Sequence, residues 1–347
     1  MCTDSIETTS VDVSIVVPAY RQARQLRHLL ESLAGLEGAP PFEVVVVDDC
    51  SPDETGAVVE SWRAQQHPFP THYVRLERNS GPAAARNAGT ARARGRIVAY
   101  TDSDCRVTPS WLSTLIRKLD EEAGVVGVGG AVLPVNPKGF FSRYNTVNSI
   151  LEPPEPLLYL VTANCCYYRS SVQAVGGFDE DVLRPGGEDV ALCVKMTRKE
   201  WRFAFDPEAV VLHDYREGLR SFVRTWKNYA YGCGYVVGKY LGKIEPEEGV
   251  LWHKDSIRPV WLWSPELRTA FETERMLCQR HGISAAQTAA FQCLRFLQLL
   301  IHYEYFRKGE AVFLGRAPIL ARCKWVLRIL CRRLLRACRR PKEDNPV

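Results

Sequence analysis

VSIVVPAYRQARQLRHLLESL, residues 13–33, decides how the rest of the chain is read. Its first six residues, VSIVVP (13–18), are nearly continuous in apolar, β-branched character, and the segment 22–36 spaces Leu26, Leu29, Leu30 and Leu33 at helical intervals among polar residues. The first pattern predicts a strand buried on both faces and the second a helix packed along one. The alternation then recurs. EVVVVD (43–48), HYVRLE (72–77) and IVAYTD (97–102) are predicted strands, and 53–66, 82–94 and 109–122 predicted helices. Strands separated by helices predict a mostly parallel, Rossmann-like α/β sheet flanked by helices, whose ligands sit beyond the carboxyl ends of the strands.

The residues at those ends are therefore the candidate site. Pro18, Ala19 and Tyr20 follow the first strand, Asp48, Asp49, Cys50 and Ser51 the second, Arg78, Asn79, Ser80 and Gly81 the third, and Asp102, Ser103 and Asp104 the fourth. Two carboxylates one residue apart repel unless something cationic lies between them. A hard divalent cation is one answer, and a solvated loop is the other.

The 347 residues, 46% hydrophobic and 24% charged, are globular in composition and long enough for one large unit plus an appendage. Residues 125–240 continue the first half, with predicted strands at 125–133 and 158–168, so 1–240 is expected to be a catalytic domain and 241–347 a mainly helical extension. The start, MCTDSIETTSVD, lacks the basic and apolar regions of a secretory signal, and no run of 18 apolar residues occurs. A cytoplasmic location is expected, and the 12 scattered cysteines are read as small apolar residues. GCGYVVG (232–238) follows helical sequence and lacks dinucleotide-loop spacing, so it is read as close helix packing.

Taken in order, VSIVVPAYRQARQLRHLLESL, VVVVDDCSPDET, RNSGPAAARNAGTARARG, VAYTDSDC, GGFDE, GGEDVALCVKM and His213 resemble the family 2 glycosyltransferases of GT-A fold, over about residues 11–240. The resemblance implies a metal-dependent, inverting transferase that moves a sugar from a nucleoside diphosphate to an acceptor hydroxyl. It sets Pro18, Ala19, Tyr20, Asp48, Asp49, Asn79 and Arg86 against the nucleotide, with Asp102 and Ser103 beside the nucleotide sugar. Asp102, Asp104 and His213 are the implied ligands of Mn²⁺ or Mg²⁺, a set of oxygen and imidazole donors suited to those ions. Asp189 is the implied base, with Glu188 beside it able to raise its pKa. GGFDE (176–180) resembles the loop near donor sugar and acceptor; packing of Phe178 into the core is its other reading.

The donor is expected to be a nucleoside-diphosphate sugar, UDP-sugars first, and the acceptor a glycan, lipid, peptide or small molecule; no nucleic-acid partner is expected. Tyr144, Tyr167, Tyr168, Trp226 and Tyr229 are candidates either for stacking on sugar or for core packing. A polyprenyl-phosphate transferase would need no strong base. A nucleotidyltransferase would carry a glycine- and arginine-rich loop where VVPAYRQ stands, and a nucleotide-sugar sensor would need no base at all.

The tail carries the basic character. Arg316–Lys342 holds ten Lys or Arg and no acid, against a net charge of +5 for the whole chain. Ile319, Leu320, Cys323, Val326, Leu327, Leu330, Leu334 and Cys338 recur at three and four, so an amphipathic helix is predicted over about 317–340, suited to packing on the core or lying in an anionic membrane surface on the cytosolic side.

Overall fold

Valine-rich runs that bury both faces make the centre of the sheet: Val44 to Val47 are all fully buried. The computed structural model describes residues 11–154, 156–241 and 265–314. The parallel half consists of β1 (Val13–Ala19), β2 (Phe42–Asp48), β3 (Thr71–Arg75) and β4 (Ile97–Thr101), close to the predicted strands. Four further strands, β5 (Cys105–Val107), β6 (Val125–Pro134), β7 (Asn164–Tyr168) and β8 (Arg202–His213), complete a sheet ordered β3-β2-β1-β4-β7-β6-β8-β5.

The predicted strand 158–168 forms only over its last five residues, and β7 runs antiparallel to both β4 and β6. β5 is antiparallel to β8, while β6 and β8 are parallel. Six of the eight strands therefore point one way, the mostly parallel sheet expected.

Register aligns the strand ends. Ala19 pairs with Asp48, and Asp48 with Arg75, so β1, β2 and β3 finish level. On one face, α1 (Ala23–Ala34), α2 (Thr55–Arg63) and α4 (Trp111–Glu121) cover Val13, Ile15, Val17, Val44 and Val46. On the other, α3 (Gly81–Arg92) and α7 (Glu188–Thr197) cover Val16, Val45, Val47 and Val98. Gly89 lets α3 lie directly on β1: a Cβ there would stand 2.3 Å from Val16 Cγ1. Two short helices, α5 (Phe140–Val147) and α6 (Arg169–Ala174), occupy connections.

Of the described residues, those up to Ser142 and from Ile150 to Arg216 form the compact unit that holds the sheet; Arg143–Ser149 and those from Glu217 onward form a second unit. The second unit begins well before residue 241, where the extension was expected. It contains α8 (Leu219–Val236), α9 (Pro265–Arg280) and α10 (Ala285–Leu314), with α8 and α9 both packed on α10. Tyr144 sits inside it, ring edges against Phe222 and Phe291 at 5.4 Å, its hydroxyl donating to Gln298 Oε1 at 2.5 Å. Gly232 and Gly234 are buried on α8, as the close-packing reading requires. Among the described residues no helix is long and apolar enough to cross a membrane, and the predicted helix 317–340 lies outside them.

Candidate active site

The chain turns sharply after β4. Cys105 N–H donates to the Asp102 carbonyl at 3.0 Å, and β5 then pairs with β8 so that Cys105 stands opposite His213. This pairing delivers a histidine 109 residues away in sequence to the acidic loop, with Asp104 Oδ1 3.5 Å from His213 Nε2. Cys105 completes the group: one ligand atom from each of Asp104, Cys105 and His213 lies within 4.8 Å of the others. Tyr215 backs the imidazole, ring centroids 4.6 Å apart, while His213 Nδ1 is buried with no hydrogen-bond partner.

Two donors of one ion, at bonds of about 2.0–2.2 Å, stand about 3.0–3.4 Å apart. The Asp104–His213 spacing of 3.5 Å lies just beyond that span, so a small shift of either side chain would let these residues share a divalent cation. Asp104 is also held from behind. Gln22, at the start of α1, donates through Nε2 to Asp104 Oδ2 at 2.5 Å and accepts through Oε1 from the Ser103 hydroxyl. Ser103, expected beside the nucleotide sugar, is buried in this bond.

Asp102 is not in the Asp104–Cys105–His213 group. Its Oδ1 accepts from Arg86 Nη2 at 2.7 Å, and Arg86 Nη1 donates to Glu188 Oε1 at 2.9 Å. Arg86 is only 3% exposed. Burial alone would lower its pKa; Asp102, then Glu188 and Asp189, outweigh that and hold the guanidinium above its ordinary value. Arg86, the residue expected against the nucleotide, is here a buried strut between the loop after β4 and the first turn of α7.

Gly186 and Gly187, at φ of +113° and +92°, make the left-handed entry to α7 that residues with a Cβ resist. Glu188 Oε2 accepts from Gly186 N–H at 2.6 Å, fastening the turn. Asp189 follows, its Oδ1 accepting from Val190 N–H at 2.8 Å. Burial, then the Glu188 charge, pushes Asp189 up to about 7, against the opposing pull of that N–H and of Arg86. A carboxyl tuned to that range exchanges protons near neutral pH.

The acid pair after β2 turns inward. Asp48 is fully buried and accepts from Tyr73 Oη at 2.7 Å, Arg75 Nη1 at 2.8 Å and Ser51 N–H at 2.8 Å. Asp49 accepts from the Ser80 and Gly81 N–H groups at 2.6 and 2.9 Å, capping α3 across the loop. Burial pushes the Asp49 pKa up, more than those two N–H groups pull it down. Both carboxylates, expected against the nucleotide, accept hydrogen bonds that build the rim at the end of β2. Of the remaining nucleotide candidates, Tyr20 and Asn79 are exposed, Pro18 is partly exposed, and Ala19 is buried.

The family models described as Glycosyl transferase family 2 and Glycosyl transferase family group 2 match residues 14–174 and 97–306. The chain belongs to glycosyl transferase family 2. A family relative from Bacillus subtilis, the uncharacterized glycosyltransferase YfnE, is 34% identical over 274 residues, covering 63% of this chain and 69% of its own length. The pre-mycofactocin glycosyltransferase of Mycobacterium tuberculosis is 30% identical over 250 residues, 68% of this chain and 49% of its own, so the chain spans about half the length of that curated relative. Among solved structures, the mannosyltransferase PcManGT from Pyrobaculum calidifontis, in complex with GDP-Man and Mn²⁺, superposes with a TM-score of 0.56 at 20% identity, covering 95% of this chain and 86% of that one. That likeness shows the GT-A fold.

In this family 2 chain the GGFDE loop packs inward at its aromatic: Phe178 is buried, edge-on to Tyr100 at 5.1 Å and 5.7 Å from the Arg86 guanidinium. Asn87 pins the loop, accepting from Phe178 N–H and donating to its carbonyl. Tyr144 and Tyr167, candidates for sugar stacking, are fully buried. Sequence reading missed Gln22, Cys105, Tyr73 and Arg75. Gln22 lay within the quoted VVPAYRQ and Cys105 within TDSDC, but their partners are 82 and 108 residues away, a proximity that only the sheet creates.

Proposed function

We propose that this chain is a divalent-metal-dependent, inverting glycosyltransferase that moves a sugar from a nucleoside diphosphate to an acceptor hydroxyl. One observation carries the reading: Arg86 ties Asp102, on the loop of the candidate metal site, to Glu188, the neighbour of Asp189, so that a cation-binding loop and a base share one buried polar link. Asp104 and His213 would hold Mn²⁺ or Mg²⁺, which when bound supplies positive charge for a diphosphate leaving group. Tyr20 and Asn79 provide exposed surface for the nucleotide at the ends of β1 and β3. Asp189, ionised above about pH 7, accepts the acceptor's hydroxyl proton. With a base and no separate enzyme nucleophile, the displacement is single and the anomeric centre inverts.

The test is release of nucleoside diphosphate from a panel of UDP-, GDP-, ADP- and dTDP-sugars with candidate acceptors. Asp189→Asn should abolish transfer while leaving nucleotide-dependent thermal stabilisation in Mn²⁺ intact. Full turnover in that variant refutes the base; pyrophosphate as product refutes the class. We also propose that the basic tail, residues 316–342, docks the enzyme on an anionic membrane surface. Full-length protein should float with anionic liposomes and a chain ending at 315 should not.

A further inference from the structure

Among the described residues, the ligand-type side chains that the fold brings together are Asp104, Cys105 and His213. Asp102 is drawn off to Arg86, and the third ligand-type atom beside Asp104 and His213 is the Cys105 sulfur. Its position follows from the ladder: Cys105 and His213 are directly opposite on the antiparallel β5–β8 pair, and opposite residues project from the same face with Cβ atoms about 4.5–5.5 Å apart. Cys105 is 1% exposed, walled by the core under α1 and α4, so the sulfur approaches the site from its dry side.

We propose that Cys105 is the third protein ligand whenever a borderline divalent cation, Zn²⁺ or Co²⁺, occupies the Asp104–His213 site. The inference rests on the cation site put forward under the proposed function and adds a donor to it. Carboxylate, thiolate and imidazole form the mixed set that Zn²⁺ and Co²⁺ take in tetrahedral geometry, where N and O donors stand about 3.3 Å apart; Asp104 Oδ1 and His213 Nε2 are at 3.5 Å. Mg²⁺ and Mn²⁺ prefer oxygen and gain little from sulfur. On binding, the S–H bond breaks, the proton passes to solvent and the sulfur pair becomes the bond to the cation. One loop therefore sorts divalent ions by softness: hard ions use Asp104 and His213, softer ones recruit Cys105 as well and are held more tightly.

The test uses full-length, chelator-stripped protein titrated with Co²⁺ alone and followed in the near ultraviolet for the thiolate-to-cobalt charge-transfer band, with Mn²⁺ binding followed in parallel by electron paramagnetic resonance. Expected is a band saturating at one equivalent, lost in Cys105→Ser and in Cys105→Ala, with Co²⁺ and Zn²⁺ affinity falling about tenfold or more in both variants and Mn²⁺ affinity changing less than about twofold. Retained Mn²⁺ binding shows that the variants are folded. Two outcomes overturn the proposal alone: a band that survives in both variants, or Mn²⁺ and Co²⁺ that bind wild type with no band. If neither ion binds wild type in a manner lost in Asp104→Ala, the cation site itself fails, and this inference with it.

Discussion

Arg86 and Glu188 form a buried ion pair, Nη1 to Oε1 at 2.9 Å, between residues 102 apart in the chain. With both side chains at most 5% exposed, neither partner has water to fall back on. Arg86→Met should therefore cost about 3–5 kcal/mol in denaturant unfolding, because it strands Glu188 as a buried, uncompensated charge. It should also move the pH-rate profile: Arg86 pulls the Asp189 pKa down, so its loss raises the pH at which activity appears. Arg86→Lys keeps the charge but cannot fork to both acids, and should fall between the two.

Asp189 gives the pH dependence its sign. Folding raises its pKa from an ordinary 3.8 to about 7, so transfer should rise with pH through about 7 and level off as the base ionises. Stability runs the other way. The folded state holds the proton more tightly, so Asp189's contribution is fully present below about pH 4 and is lost as pH rises through about 7. Asp189→Asn should consequently have the higher Tm at pH 8, with the gap closing toward pH 5. A gap that is constant across that range would mean that the Asp189 pKa is not raised.

Gln22 acts through Asp104. Its amide fixes the carboxylate by Oδ2 and leaves Oδ1 toward His213, while Ser103 fixes the amide in turn. Groups that orient a ligand in this way are worth about 10–100-fold in metal affinity. Gln22→Ala should weaken Mn²⁺ binding by about that factor in titrations read by electron paramagnetic resonance, and should raise the Mn²⁺ concentration needed for half-maximal rate more than it lowers the rate at saturation. Unchanged Mn²⁺ affinity would reduce Gln22 to a helix-start residue.

The parallel half of the fold was legible because its strands are buried on both faces, and valine runs such as Val44–Val47 announce that without reference to anything distant. Asp104 and Asp189 could be singled out because each lies in a local motif, TDSD and GGED, whereas His213 was named only through the family resemblance. What residue type did not show at Asp48, Asp49 and Arg86 is the set of partners that hold them: Tyr73, Ser80, Asp102 and Glu188 stand 16 to 102 residues away in the chain. β7 was overextended because Leu158–Val161 is as apolar as a strand, yet β4 pairs only with Asn164–Tyr168. Cys105 read as core, and core it is on one side; its second neighbour, His213, arrives through an antiparallel pairing that no local pattern encodes.

Gly89 offers a test of packing free of the chemistry. In a helix interior Gly→Ala ordinarily stabilises by about 1 kcal/mol. Here the added Cβ would lie 2.3 Å from Val16 Cγ1 and 3.2 Å from Val47 Cγ2, side chains fixed in fully buried central strands. Overpacking of that kind costs about 1–3 kcal/mol, and a 2.3 Å approach to a β-branched side chain that cannot swing aside belongs at the upper end, so the clash should win over the helix preference. Gly89→Ala alone should lower unfolding free energy by about 1–2 kcal/mol. Val16→Ala removes the offending methyl at the cost of a cavity, and in that background the same Gly89→Ala change should be close to neutral or favourable, because the new methyl fills part of the space Val16 vacated. Equal costs in both backgrounds would show that α3 does not lie on β1 at Gly89.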